Sequence, residues 1–158
     1  MSSVNHSVNK EIVVQATPER AFRVFTENFD RWWPRGHHIG KVDLKAAVME
    51  PRANGRWYEV DVDGSECDWG YVIAWEPPHR VVLAWQLNGE WQYDPSLTTE
   101  VEVTFTPIGA GTTRVELEHR NLERFGEMED AVRKAISSDE GWAGLLQLYG
   151  KAAQEEAA

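Results

Sequence analysis

Two polar residues, Glu59 and His119, are predicted to point from β-strands into the interior of the protein. Each falls on the apolar side of an alternating pattern, Glu59 two positions after Trp57 and His119 two positions after Leu117. Burial and mutual charge can tune a carboxyl group and an imidazole toward neutral pH, as proton transfer requires. The pair is therefore a candidate catalytic acid and base. The alternative is that both residues form structural hydrogen bonds in the core.

The other residues that could act as a nucleophile or as metal ligands give weaker signals. Cys67 lies between Glu66 and Asp68, which would raise the pKa of its thiol, so the residue is expected to be a small buried hydrophobe rather than a nucleophile. The adjacent residues His37 and His38 point in different directions and have no further ligand at metal-site spacing. The sequence therefore predicts no metal and no cofactor.

Aromatic residues are unusually prominent, with eight Trp among 158 residues. Several of them alternate with polar residues, and the alternation places residues 67, 69, 71, 73 and 75 on one strand face. Concave aromatic surfaces with a few polar groups are typical sites for small apolar or amphipathic molecules. The predicted ligand-binding residues are Trp57, Glu59, Trp69, Tyr71, Trp85, His119, Trp142, Leu145, Leu146 and Tyr149. Whether these rings fill the interior or line a hollow stays open.

The elements that must position these residues follow from turn signals and periodicity. Residues 8–16 predict a strand, and Thr17 and Pro18 predict the start of a helix. Between residues 42 and 117, short alternating runs are separated by turn signals at 54–55, 63–64, 77–78, 88–89 and 109–111, which indicates about six antiparallel strands. The apolar stripe of residues 142–153 predicts a long C-terminal helix. The fold class is α+β, with a curved sheet of about seven strands around that helix.

Charge and composition limit the partners. The formal net charge of −10 would repel phosphate backbones and anionic lipid headgroups, so neither nucleic acid nor a membrane is an expected partner. The beginning of the sequence does not have the pattern of a signal peptide, and we expect a cytoplasmic protein. Its length suits one domain spanning residues 1–158, with a core at about 8–153. Monomer and homodimer both remain open.

Short motifs along the chain share an order with a known family. They are ATPERAF (16–22), WW (32–33), GRW (55–57), GYV (70–72), WEPPHR (75–80), VVLAW (81–85), GTTRV (111–115) and GW (141–142). Together they resemble the START-like proteins of the activator of heat-shock protein 90 ATPase family. The resemblance covers roughly residues 8–153.

This resemblance implies a helix-grip fold with a cavity between the sheet and the last helix. Taken with the aromatic residues, it favours the binding of a small hydrophobic ligand in a Trp-lined cavity as the main function. It also implies two alternatives: an enzyme of cyclase or hydratase type that uses Glu59 and His119, and an interaction module for a chaperone or a stress response.

Overall fold

One antiparallel sheet of seven strands forms the body of the molecule. A computed structural model describes residues 6–155. The strands are β1 (Val8–Val14), β2 (Leu44–Met49), β3 (Arg56–Asp61), β4 (Glu66–Glu76), β5 (Arg80–Trp85), β6 (Thr99–Gly109) and β7 (Thr112–Arg120). Their order in the curled sheet is β1-β7-β6-β5-β4-β3-β2. The first strand thus pairs with the last, and the others form the meander that the turn signals predict.

The helices occupy one face of this sheet. They are α1 (Pro18–Phe25), α2 (Phe29–Trp32), α3 (Glu129–Ser137) and α4 (Trp142–Glu155), and a 3-10 segment (Leu122–Met128) precedes α3. Thr17 caps α1, since its hydroxyl oxygen accepts a hydrogen bond from the backbone N–H of Arg20 at 3.2 Å. The helix-grip fold class is confirmed. No helix within residues 6–155 is long and apolar enough to cross a membrane.

Helix α4 is held to the rest of the molecule by one buried stripe. Trp142, Leu145, Leu146 and Tyr149 are all at most 5% exposed, as the helical spacing predicts. The Tyr149 hydroxyl donates a hydrogen bond to the carbonyl of Ala21 at 2.7 Å. Its ring also lies edge-on to those of two helix residues, Phe25 at 5.2 Å and Trp32 at 5.6 Å. These contacts join the N-terminal helices to α4.

The predicted common face of β4 is wrong at two positions. Trp69 is buried, but Tyr71 and Ile73 are 38% and 37% exposed and lie on the outer face. The reason is two β-bulges. The first, at Trp69, interrupts pairing with β3, and the second, at Ile73, interrupts pairing with β5. Each bulge inserts one residue and reverses the side-chain alternation, so Trp75 returns to the inner side.

The Tyr149 contacts predict how α4 contributes to stability. Replacing Tyr149 with Phe should lower the free energy of unfolding by about 1–2 kcal/mol, because the buried carbonyl of Ala21 loses its donor while the ring packing stays. Replacing it with Ala should cost about 3–5 kcal/mol, because a cavity forms as well. Urea unfolding measures both. Losses below about 0.5 kcal/mol in both variants would show that α4 is peripheral.

Candidate functional site

A cavity of about 400 Å³ lies between the sheet and the beginning of α4. One wall is the segment that follows α2, from Trp33 to Ile39. A second wall is made by the turn between α3 and α4 and by the first residues of α4. The sheet contributes the third wall through Trp69 on β4 and Trp85 on β5. The cavity is therefore placed where the fold was expected to have one.

Five indole rings contribute to the inner surface of the cavity. The Trp33 ring lies 5.2 Å from Trp69 and 6.5 Å from Trp142, and Trp142 in turn lies 5.9 Å from Trp85. A fifth indole, Trp91, is 42% exposed and lies 6.4 Å from Trp85 at the rim. The rings are in mutual contact at edge-on or tilted angles, an arrangement that aromatic pairs favour.

Glu59 is hydrogen-bonded to two parts of the cavity wall, the segment after α2 and Trp69 on β4. Its carboxylate accepts hydrogen bonds from the backbone N–H groups of Ile39 at 2.7 Å and Gly40 at 3.1 Å, and from the indole N–H of Trp69 at 2.9 Å. Burial alone would raise the pKa of Glu59, but hydrogen bonds from Asp61 and from these three N–H groups lower it. The residue is an ionised anchor that fixes the segment after α2 to β4.

His119 has an analogous role on the opposite side of the cavity. The indole N–H of Trp142 donates to His119 Nδ1 at 3.1 Å, so the ring proton is on Nε2 and donates to the Thr99 hydroxyl oxygen at 2.8 Å. The imidazole is fully buried, and burial lowers its pKa to about 3. His119 is thus a neutral residue that connects α4 to the sheet.

The structure does not bring Glu59 and His119 together as an acid–base pair. Three strands separate β3 from β7, and each residue belongs to its own hydrogen-bond network. Both ring nitrogens of His119 are engaged, and both oxygens of Glu59 accept from N–H donors. The geometry corresponds to the structural alternative for the two residues rather than to proton transfer on a bound molecule.

The predicted ligand-binding residues divide into three groups. Trp69, Trp85, Trp142 and Leu145 line the cavity. A second group is buried and supports the wall from behind, namely Trp57, Glu59, His119, Leu146 and Tyr149. Tyr71 lies outside because of the bulge in β4.

Sequence reasoning missed other lining residues, including Trp33, His37, His38, Ile39, Leu87, Trp91, Ile136 and Glu140. The only signal for Trp33 and Trp91 was the high Trp content itself.

One group of side chains has donor atoms close enough to surround a metal ion. Glu59, Asp61 and Cys67 each place a ligand atom within 4.8 Å of the others. Both oxygens of Glu59 already accept hydrogen bonds from the N–H groups of Ile39, Gly40 and Trp69. Because this carboxylate is engaged in holding the cavity wall, we assign no metal to the group.

Comparison with known proteins identifies the family. Residues 15–148 match the family described as Activator of Hsp90 ATPase homolog 1-like protein. The chain belongs to this family, as the motif order indicates. A comparison with curated protein sequences finds no match.

Two similar solved structures share more than a third of their residues with the chain. One is the anthrahydroquino-gamma-pyrone synthase Txn09, with 38% identity, coverage of 92% of this chain and 95% of the other, and a TM-score of 0.65. The second is the self-sacrificing resistance protein CalC from Micromonospora echinospora, with 34% identity, 96% coverage of both chains and a TM-score of 0.72. An HSP90 activator from Plasmodium falciparum, at 21% identity, 73% coverage of both chains and a TM-score of 0.53, shares the fold.

The neutral state of His119 predicts a specific pH dependence. In the unfolded chain an ordinary His gains a proton below about pH 6.5, whereas folded His119 does so only near pH 3. The free energy of unfolding should therefore fall as the pH drops between these values. His119→Gln does not titrate, but its amide cannot match the spacing of the two ring nitrogens, so it should be about 1–3 kcal/mol less stable at pH 8.

Urea unfolding of both proteins at pH 8, 6, 5 and 4 measures this difference. The gap between wild type and variant should narrow below about pH 6.5, because only the wild type loses stability through this residue. A gap that stays constant from pH 8 to pH 4 would mean that folded His119 titrates normally.

Proposed function

We propose that the protein binds a planar, largely apolar molecule with fused aromatic rings in the cavity beside α4. The observation that carries this proposal is the set of indole rings at Trp33, Trp69, Trp85, Trp142 and Trp91, which surround about 400 Å³. Flat π faces at several angles suit a flat aromatic ligand better than a flexible aliphatic chain, because ring contacts add to the area buried.

Polar groups at the rim favour a ligand with oxygen atoms at its edge. His37, His38, Ser138 and Glu140 lie there, and His37 Nε2 is 2.7 Å from the carbonyl oxygen of Glu140, which joins two walls of the cavity. An amphipathic ligand could place its rings among the indoles and its hydroxyl or carbonyl groups toward this rim. Such a division between apolar body and polar edge is common in small-molecule sites.

The similar proteins support this choice of ligand. The synthase at 38% identity is named for a product with fused aromatic rings, and the resistance protein at 34% identity has a fold that covers nearly the whole chain. We therefore propose an aromatic natural product as the ligand class. Binding without chemistry is the simpler proposal, because the two residues that could form an acid–base pair are used structurally.

Trp91 is the most exposed of the five indoles that line the cavity, and its backbone supports a role in binding. Its φ is +62°, a conformation that is rare and strained for a bulky side chain. Strain of this kind is found preferentially at binding and catalytic sites. The Trp91 indole is held at the rim, where it can close over one face of a ligand.

Titration with 2-(hydroxymethyl)anthraquinone tests the proposal. Binding is monitored by the quenching of Trp fluorescence and by calorimetry. We expect one site with a dissociation constant of roughly 1–100 μM, the range that a compact ligand of this size can reach. 1-Decanol, which is apolar but not aromatic, should bind more weakly. A folded protein that binds neither compound would refute the proposed function.

Trp91→Ala should weaken binding of the anthraquinone about three- to tenfold, because one ring contact is worth about 0.5–1.5 kcal/mol. Tyr93→Ala is the matched control, since Tyr93 is also 42% exposed on the same loop but does not line the cavity. Equal affinities of the two variants would show that Trp91 does not contact the ligand.

A chaperone partner remains a second prediction from the family resemblance. It differs from ligand binding in one respect that can be measured, since a chaperone contact should not require the aromatic probe. A pull-down with purified heat-shock protein 90 in the presence and absence of the probe separates the two.

A further inference from the structure

Two buried carboxyl groups lie side by side behind the cavity wall. Glu59 and Asp61 are both fully buried on the inner face of β3. A Cβ atom added to Gly40 would be 2.0 Å from Asp61 Oδ2 and 3.0 Å from Glu59 Oε2, so the two oxygens face the same small space. Among residues 6–155, none of the groups that shift the pKa of either carboxyl is a Lys or Arg side chain. Two negative charges in this buried space would repel each other.

A proton can resolve this repulsion. Glu59 and Asp61 place oxygen atoms within 4.8 Å of each other. Two carboxylates have no donor between them, so a hydrogen bond between the pair requires that one of them is protonated. Glu59 accepts from three N–H groups and is the better anion. Burial, followed by the hydrogen bond and the charge of Glu59, raises the pKa of Asp61 to about 6. Asp61 is therefore the residue that holds the proton.

The position of Glu59 connects this proton to the cavity. Its oxygens hold Ile39, which lines the cavity, and its neighbour Gly40. They also hold the indole of Trp69 in the opposite wall. When Asp61 loses its proton, two adjacent negative charges repel each other in a buried site, and the contacts of Glu59 weaken.

We propose that a proton shared between Asp61 and Glu59 keeps residues 36–40 and Trp69 in their cavity-forming positions, so that ligand binding is linked to protonation. Asp61 is a positioning residue in this scheme, since it acts on the wall through Glu59. The link to binding rests on the proposed function, whereas the shared proton itself does not.

Other titratable groups face the pair, and the test must separate them. Cys67 comes from β4, with its sulfur 3.9 Å from Asp61 Oδ2, and Asp63 acts on Asp61 from the β3–β4 turn. Asp68 acts on the Cys67 thiol. From the segment above the pair, His38 Nδ1 lies 3.0 Å from the carbonyl oxygen of Gly40.

The direct experiment measures the affinity for 2-(hydroxymethyl)anthraquinone, which does not titrate, at pH 5, 6, 7 and 8. Wild-type affinity should fall about tenfold across this range, the change expected if ligand raises the pKa of Asp61 by one unit. Asp61→Asn provides a donor for Glu59 at every pH, so it should bind with the wild-type pH 5 affinity throughout. Cys67→Ser, Asp63→Asn and Asp68→Asn should retain the dependence of affinity on pH. His38→Asn can change the affinity itself, because His38 lines the cavity, but it should keep the same tenfold fall between pH 5 and pH 8.

A wild-type affinity that is constant from pH 5 to pH 8 would overturn the proposal. So would an Asp61→Asn variant that keeps the wild-type slope, or a control variant that abolishes it. The first of these outcomes is read on the unmodified protein and needs no variant to fold.

Stability distinguishes failure of this inference from failure of the proposed function. The folded-state pKa of Asp61 is raised above its ordinary value of 3.8, so wild-type stability should decrease as the pH rises from about 4 to about 6 and then stay level with respect to this residue. Asp61→Asn should therefore gain stability relative to wild type over that range. If no probe binds but this gain is observed, the shared proton stands and the ligand proposal fails. If the gain is absent, the shared proton is refuted.

Discussion

Burial of aromatic rings between the sheet and the helices is the constraint on which the rest of this structure depends. A continuous series of ring contacts, with centroids 4.9–6.5 Å apart, joins Phe25 on α1, Phe29 and Trp32 on α2, and Tyr149 on α4. The series continues from Phe29 into the sheet through Trp57. Each large ring removes apolar surface from water, and together the rings fix where α4 lies relative to the strands.

The same packing leaves the cavity at one end. The rings of Trp32 and Tyr149 are 5.6 Å apart, and those of Trp33 and Trp142, which line the cavity, are 6.5 Å apart. Two polar residues hold this open end, Glu59 on one side and His119 on the other. They resemble a catalytic pair in sequence because both are buried and polar, yet each uses its hydrogen bonds to position an indole. Removal of water from these sites strengthens those bonds and holds the wall in place.

Sequence reasoning could predict the order of strands and helices because turn signals and apolar periodicity are local. It could also predict that α4 buries Trp142 and Tyr149, since helical spacing determines which residues share a face. It failed for Tyr71, because a β-bulge depends on pairing with a neighbouring strand and leaves no mark in the alternation of a single strand. It also missed Trp33 and Trp91, which lie in connecting segments where no periodicity indicates the direction of a side chain. The distinction between a filled and a hollow interior depends on distances between elements that are remote in sequence.

A crystal structure of the complex with 2-(hydroxymethyl)anthraquinone tests the central claim most directly. The account predicts density for the fused rings between Trp33, Trp85 and Trp142, with the hydroxymethyl group directed toward the rim at His38 and Glu140. Density for the ligand only on the outer surface of the protein would contradict it. So would indole side chains that have moved together to fill the space.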